Sequence, residues 1–290
     1  MYSTRTGTFP IGFRRVWSPW QRDLPTLLAW TKQAGFSFID LGNDADTIGQ
    51  AVLDAGLKIG SADLPEWQQL LSADHAKRVA AVAKNSAYIA ACAALGVRKF
   101  FIVMLPENPN LSRKENFNYL VESLNELAHT LDKYDSKLVI EGWPGPGALC
   151  CTPETYRAAL KACKSKAIGI NYDPSHLLRM GIDPIRFLTE FADRVYHVHG
   201  KDTEILVENI YEYGTEQPPA FGTPRGFGSM TWRYTIPGHG VFRWNRAFEI
   251  LVSRGYHGLV SIELEDADFN GSTDGEQSGL LAAAQYLAAC

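Results

Sequence analysis

The chain has 290 residues, 46% of them hydrophobic and 21% charged, with a formal net charge of −4. That composition is globular, no apolar run approaches the roughly 20 residues a bilayer span needs, and an acidic chain without basic clusters lacks the charge on which sequence-independent nucleic-acid binding depends. Five cysteines (Cys92, Cys150, Cys151, Cys163, Cys290), odd in number and without a C-x-x-C pair, argue against a disulfide framework or a thiolate zinc site and for a reducing cytoplasm.

Taken in chain order, short β-branched runs alternate with longer stretches of helical periodicity, the order that implies a parallel sheet. The N-terminal MYSTRTGTFPIGFRR lacks the basic-then-apolar order of a signal peptide, and its apolar residues belong to a first strand. Strands are expected near 8–13, 36–41, 57–62, 98–104, 137–141, 168–173, 195–200 and 259–264. Helices are expected near 24–34, 44–55, 73–94, 113–134, 153–163, 183–192, 243–254 and 275–288. Thr152-Pro153-Glu154 and Asp183-Pro184 each pair an N-cap with Pro at the first helical position. Eight strands with eight crossovers close into a (β/α)8 TIM barrel, a single α/β domain over 1–290; an open doubly wound sheet would want a G-x-G-x-x-G turn, and none follows a strand.

The spacing breaks once. Residues 201–242 form a connection after the seventh strand far longer than usual, rich in Gly, Pro and aromatics, and are expected to be an ordered lid over the barrel mouth, with an oligomer-contact loop as the alternative.

In a barrel the chemistry sits at the C-terminal strand ends. Strand five ends in Glu141, strand six in Asp173, strand seven in His199 and strand eight in Glu263. Three carboxylates and an imidazole suit one borderline-to-hard divalent ion, Mn2+ first, with Mg2+, Co2+, Fe2+ or Zn2+ as alternatives. Lys201 follows strand seven and is a candidate for a substrate oxygen or for a salt bridge to Asp202. Trp143, Trp232 and Tyr234 offer apolar walls, and Arg233 offers a cation from the lid; the bland alternative is that the aromatics pack on one another. His197 shares the face of His199 one layer deeper and is expected to be a hydrogen-bonded barrel residue. Trp17 and Trp20 either line the pocket or cover the rim.

With Glu141 in VIEGWPG, Asp173 and His176 in NYDPSH, His199, Lys201 and Asp202 in HVHGKD, the PGHG turn at 237–240 and Glu263 in SIELED, the chain resembles the xylose-isomerase-like superfamily. That group holds sugar isomerases and epimerases, inosose-processing enzymes and the endonuclease-four type of repair nuclease. The resemblance covers nearly the whole chain. It implies a metal-dependent isomerase or epimerase of a ketose or related polyol ketone, with Glu141 and Glu263 as the acid/base pair, Asp173 and His199 as structural ligands, and His176 contacting a substrate hydroxyl or supporting the ligands from behind. It also suggests a homodimer or homotetramer. A dehydratase or lyase on an inosose or 3-keto-glycoside uses the same enolisation and is the alternative. The remote alternative, the nuclease, wants further histidines on the early strands, where this chain has Asp40, Asp63 and Met104. The long lid is unlike the compact loop of common ketose epimerases, so the substrate is left open.

Overall fold

The computed structural model describes residues 1–290. Its strands in chain order are β1 (Ile11–Arg14), β2 (Phe38–Leu41), β3 (Lys58–Asp63), β4 (Lys99–Val103), β5 (Lys137–Glu141), β6 (Ile168–Tyr172), β7 (Val195–Gly200), β8 (Asp202–Ile205), β9 (Trp232–Thr235) and β10 (Val260–Ile262). Eight of them close into a barrel in the order β1-β10-β7-β6-β5-β4-β3-β2, and β8 and β9 form a separate antiparallel pair. The fold is a TIM barrel. Parallel neighbours need a crossover, and the helical segments between the strands supply it. The runs Leu138-Val139-Ile140 and Ile168-Gly169-Ile170 are apolar on both faces because both faces are covered.

Contacts divide the chain into two compact units. The second unit (38–172 and 190–198) carries the ladder from β2 to β7, with Phe100↔Leu138 and Glu141↔Asn171 in register. Outside its strands, the helix Arg113–Lys133 buries Leu120, Leu124, Leu127 and Leu131, a stripe at helical spacing. Ser112 and Glu115 close a capping box at its start. Within this barrel wall His197 Nε2 lies 2.7 Å from Asp40 Oδ2, both fully buried, so His197 is the hydrogen-bonded barrel residue its position suggests.

The first unit (1–37, 173–189 and 199–290) holds β1 against β10, with Ile11↔Val260 and Phe13↔Ile262 in register. Phe13, Trp30 and Phe36 pack edge-on or tilted behind β1, and Phe9, Phe248 and Tyr256 form a second aromatic cluster. Trp20 does not line a pocket: it packs on Trp30 and donates from Nε1 to Glu276 Oε2 at 2.7 Å, tying it to the last helix, Thr273–Ala289. Trp17 is exposed beneath the Arg15 guanidinium.

The observed elements differ from the expected ones in several places. The first strand starts at Ile11 rather than 8, because Gly7 and Thr8 both take positive φ and turn the chain before the ladder begins. The last barrel strand spans only Val260–Ile262, so Glu263 lies just past its end. A short helix, Pro174–Arg179, follows β6 where only a loop was expected. The long connection is ordered as a hairpin, with Asp202↔Thr235 and Glu204↔Arg233 in register, and a helix Val207–Tyr213 between its strands. Both cap signals hold: Thr152 caps the helix Pro153–Ala162, and Asp183 Oδ1 accepts from the backbone N–H of Ile185 and Arg186. No helix is long and apolar enough to cross a membrane.

All five cysteines are free and buried. Burial pushes the Cys163 thiol up to about 11 and that of Cys92 to about 12, so neither offers a thiolate at neutral pH.

Candidate metal centre and active site

Asp173 ends β6 and caps the helix Pro174–Arg179, its Oδ1 accepting from the Ser175 backbone N–H at 2.8 Å and from Ser175 Oγ at 2.6 Å. Those two bonds occupy one carboxylate oxygen and leave Oδ2 directed at the polar cluster. Two groups meet it there. His176 Nε2 lies 3.3 Å from Asp173 Oδ2, and Lys201 Nζ lies 3.2 Å from the same atom. Lys201 also donates to Glu265 Oε2 at 2.9 Å and, through a shorter contact, to Glu263 Oε2. Arg14 Nε is 3.3 Å from Glu263 Oε1, and His199 Nδ1 is 3.5 Å from Glu263 Oε2.

Lys201 is 1% exposed, which decides how these contacts should be weighed. Surface ion pairs are worth little, whereas a buried ammonium is tolerated only when carboxylates surround it. Here Asp173, Glu263 and Glu265 do so. Asp202 is not its partner in this arrangement, because that carboxylate accepts from backbone N–H groups instead: Thr203 at 2.8 Å and Phe242 at 3.0 Å on Oδ1, and Gly238 at 3.5 Å on Oδ2. The PGHG turn is therefore folded onto Asp202, and a Cβ at Gly240 would meet Asp202 Oδ1 at 2.1 Å.

Burial raises the Asp202 carboxyl from 3.8 to about 6, against the opposing pull of those N–H groups. A carboxyl raised on folding contributes stability that is complete below its unfolded value and is lost as pH rises through 6. The shift corresponds to ~3 kcal/mol. In urea unfolding followed from pH 4 to 8, Asp202→Asn should therefore gain on the wild type by about that amount. Parallel profiles for the two proteins would remove the buried-charge account.

The ligand atoms of Asp173, His176 and Glu263 lie within 4.8 Å of one another, all in buried residues. The two carboxylates at that separation fit a divalent ion by donor chemistry, and the His199 imidazole, with Nδ1 3.5 Å from Glu263 Oε2, stands beside them. Glu141 ends β5 opposite Asn171, whose Nδ2 donates to Glu141 Oε2 at 2.7 Å, so the carboxylate is oriented from the neighbouring strand. His199 occupies the same face of β7 as His197, two residues on.

Other expected site residues are placed differently. Alternation along β9 puts Trp232 and Tyr234 on one face and Arg233 on the other. Arg233 is engaged by carboxylates: Nε donates to Glu204, its cross-strand neighbour, and Nη1 to Asp268 Oδ2 at 2.6 Å. It fastens the hairpin to the loop after β10 and does not join Lys201 in the cluster. Trp232 lies under the Arg179 guanidinium, 4.3 Å from its centre, and Tyr234 is hydrogen-bonded to both Arg179 and His176. Trp143 is half-buried in the loop after β5, packed close to Gly145.

Sequence reasoning passed over Arg14, Glu265, Arg179 and Asn171. Signals for three of them exist: Arg14 ends a barrel strand, Glu265 repeats the position of Glu263 at period two, and Arg179 follows His176 by three residues on a helix.

A family model described as the xylose isomerase-like TIM barrel matches residues 28–290. The chain belongs to that family. Among curated relatives, "Uncharacterized protein YfiH" of Bacillus subtilis is 35% identical over 125 residues, 41% of this chain and 37% of that one. Inosose dehydratase of Geobacillus thermodenitrificans is 28% identical over 152 residues, 52% of this chain and 48% of that one. The chain thus spans about half or less of the length of these relatives. Among solved structures, 3-keto-D-glucoside 4-epimerase YcjR from E. coli superposes with a TM-score of 0.71 at 15% identity, covering 97% of this chain and 100% of that one. An IolI protein with a bound zinc atom superposes with a TM-score of 0.64 at 17% identity, covering 96% and 95%. The family's characterised neighbours are thus enzymes of epimerase and dehydratase type, and a related structure holds a metal.

Proposed function

We propose that the chain is a divalent-metal-dependent isomerase or epimerase that acts on a ketose or related polyol ketone. The observation that carries this reading is the buried cluster at the ends of β6, β7 and β10, where Asp173 and Glu263 converge with Lys201, His176 and His199. Glu141, Asp173, His199 and Glu263 are the residues that would hold the ion. A divalent ion there, Mn2+ first and Mg2+, Co2+, Fe2+ or Zn2+ as alternatives, supplies the Lewis acidity that eases ionisation of a carbon beside a carbonyl.

The side chains then share the work of proton transfer. Glu263, with Arg14 on Oε1 and Lys201 on Oε2, is oriented by two basic side chains, as a general base needs to be. Glu141 is fixed by Asn171 and is the second acid/base group that the family resemblance implies. When one carboxylate takes the proton and the other returns it to the far face, configuration inverts; when the proton returns to the adjacent carbon, the product is an isomer. Lys201 offers its amino group to negative charge on a substrate oxygen, and burial of the cluster excludes water. The segment 201–242 acts as a lid whose hairpin carries Tyr234 to His176.

A second reading, loss of a β-hydroxyl as water, is favoured by the dehydratase relatives. It shares the first step and differs in mass balance.

Elemental analysis of gently purified protein, followed by solvent-deuterium incorporation into a panel of ketohexoses, 3-keto-glucosides and inososes, tests both. About one divalent ion per chain with deuterium entering beside the carbonyl and mass otherwise conserved supports the isomerase. Loss of water selects the dehydratase. Neither metal uptake from added Mn2+ nor exchange into any of these ketones overturns the assignment.

A further inference from the structure

Tyr234 arrives from the hairpin β8–β9, is 4% exposed, and has two hydrogen-bond partners within 2.7 Å: Arg179 Nη1 and His176 Nδ1. The two contacts are not equivalent. A guanidinium can only donate, so the phenolic oxygen must accept from Arg179, and Arg179 is itself pinned above the Trp232 ring at 4.3 Å. The phenol has a single proton, and burial holds that hydroxyl well above the usual tyrosine range although Lys201 and Arg179 pull it down, so the proton stays on oxygen at neutral pH. If His176 Nδ1–H also donated to that oxygen, the phenolic proton would be left buried and unmatched. Donation of the phenolic proton to Nδ1 satisfies all three groups.

We propose that Tyr234 is a positioning residue whose hydroxyl, oriented by Arg179, donates to His176 Nδ1 and fixes that ring as its Nε2–H tautomer, which is not a metal ligand. Nε2 lies 3.3 Å from Asp173 Oδ2, the carboxylate oxygen that Ser175 leaves open, but outside hydrogen-bond geometry. This separates two roles that proximity alone would merge, because His176 Nε2 lies within the same 4.8 Å cluster as the Asp173 and Glu263 oxygens. A ring nitrogen that bears a proton has no lone pair for a cation. The inference rests on the metal-site reading only in excluding His176 from the ligand set; the tautomer follows from the hairpin geometry.

The test is long-range 1H–15N correlation of 15N-histidine-labelled full-length protein at neutral pH, with His176→Gln to assign the ring. The wild type is expected to show Nδ1 unprotonated and Nε2 protonated. Tyr234→Phe and Arg179→Met should each shift both nitrogens toward the averaged values of a ring exchanging tautomers. A wild-type ring protonated at Nδ1 overturns the proposal, and so does retention of the wild-type pattern in folded Tyr234→Phe. Should that variant fail to fold, Arg179→Met and the wild-type spectrum carry the same decision. Added Zn2+, which is diamagnetic, should move the His199 resonances and leave the His176 Nε2 proton in place; its loss makes His176 a ligand and overturns the proposal. Zn2+ that moves neither ring sinks the metal-dependent reading, while the tautomer is still read from the metal-free spectrum.

Discussion

Glu263→Gln should lower solvent-deuterium exchange at the substrate's α-carbon by roughly 10²–10⁴-fold, the usual worth of a positioned general base. The amide keeps the volume of the side chain and one oxygen, so Lys201 retains an acceptor there and still has the carboxylates of Asp173 and Glu265. What disappears is the negative charge that Arg14 and Lys201 hold in place, and with it the ability to take a proton. The measurement is exchange in heavy water at saturating Mn2+, alongside metal content of the variant. A variant that keeps its metal and exchanges at the wild-type rate would assign the base to another residue, with Glu141 the first to examine.

Lys201→Met tests the same cluster from the side of its cation. The ammonium is almost wholly buried and faces three carboxylates, so removing it strands negative charge in a region of low polarisability. Breaking a buried pair by deleting one partner costs about 3–5 kcal/mol. Glu265 is a third exposed and relaxes into solvent, which puts the expected loss at the lower end of that range. The prediction has a second arm that an ordinary packing defect lacks. A divalent cation that binds only the folded state stabilises it by mass action, so Mn2+ should restore much of the lost stability and EDTA should unmask it. Urea unfolding under both conditions measures this; an equal deficit with and without Mn2+ would mean that the lysine acts on something other than the ion site.

The barrel was legible in the sequence because its evidence is local and repeated: apolar strand runs, helix-start residues such as Thr152 and Asp183, and polar groups at strand ends. Asp173, Glu263 and Lys201 follow from that rule alone, and the structure brings them together. The helix Pro174–Arg179 was not legible because six residues are too few to show an apolar period; Asp173 as cap and Pro174 at its first position were the only marks. The hairpin was obscured for another reason. Ile205 and Trp232 are paired neighbours in space, yet 26 residues separate them, and no periodicity links strands joined by so long an excursion. Missing that pairing also hid the alternation that turns Arg233 away from Tyr234 and toward Glu204 and Asp268. Tyr234 could be suspected as an aromatic wall but not as a hydrogen-bond partner of His176, since that contact depends on the hairpin folding back.

The clamp at Asp202 bears on how such a protein can change. Its carboxylate grips Thr203, Gly238 and Phe242 through main-chain N–H groups, which every residue except proline carries. Two positions ask for no side chain: Gly240, which closely approaches that carboxylate, and Gly238, which has positive φ and lies against the Tyr286 ring. The excursion between residues 206 and 231 is thus grafted onto a mount that is largely indifferent to its contents, one residue beyond Lys201. New loops can be exchanged on that mount while the ammonium and its carboxylates stay where they are, which makes the segment a natural cassette for diversifying what the barrel accepts.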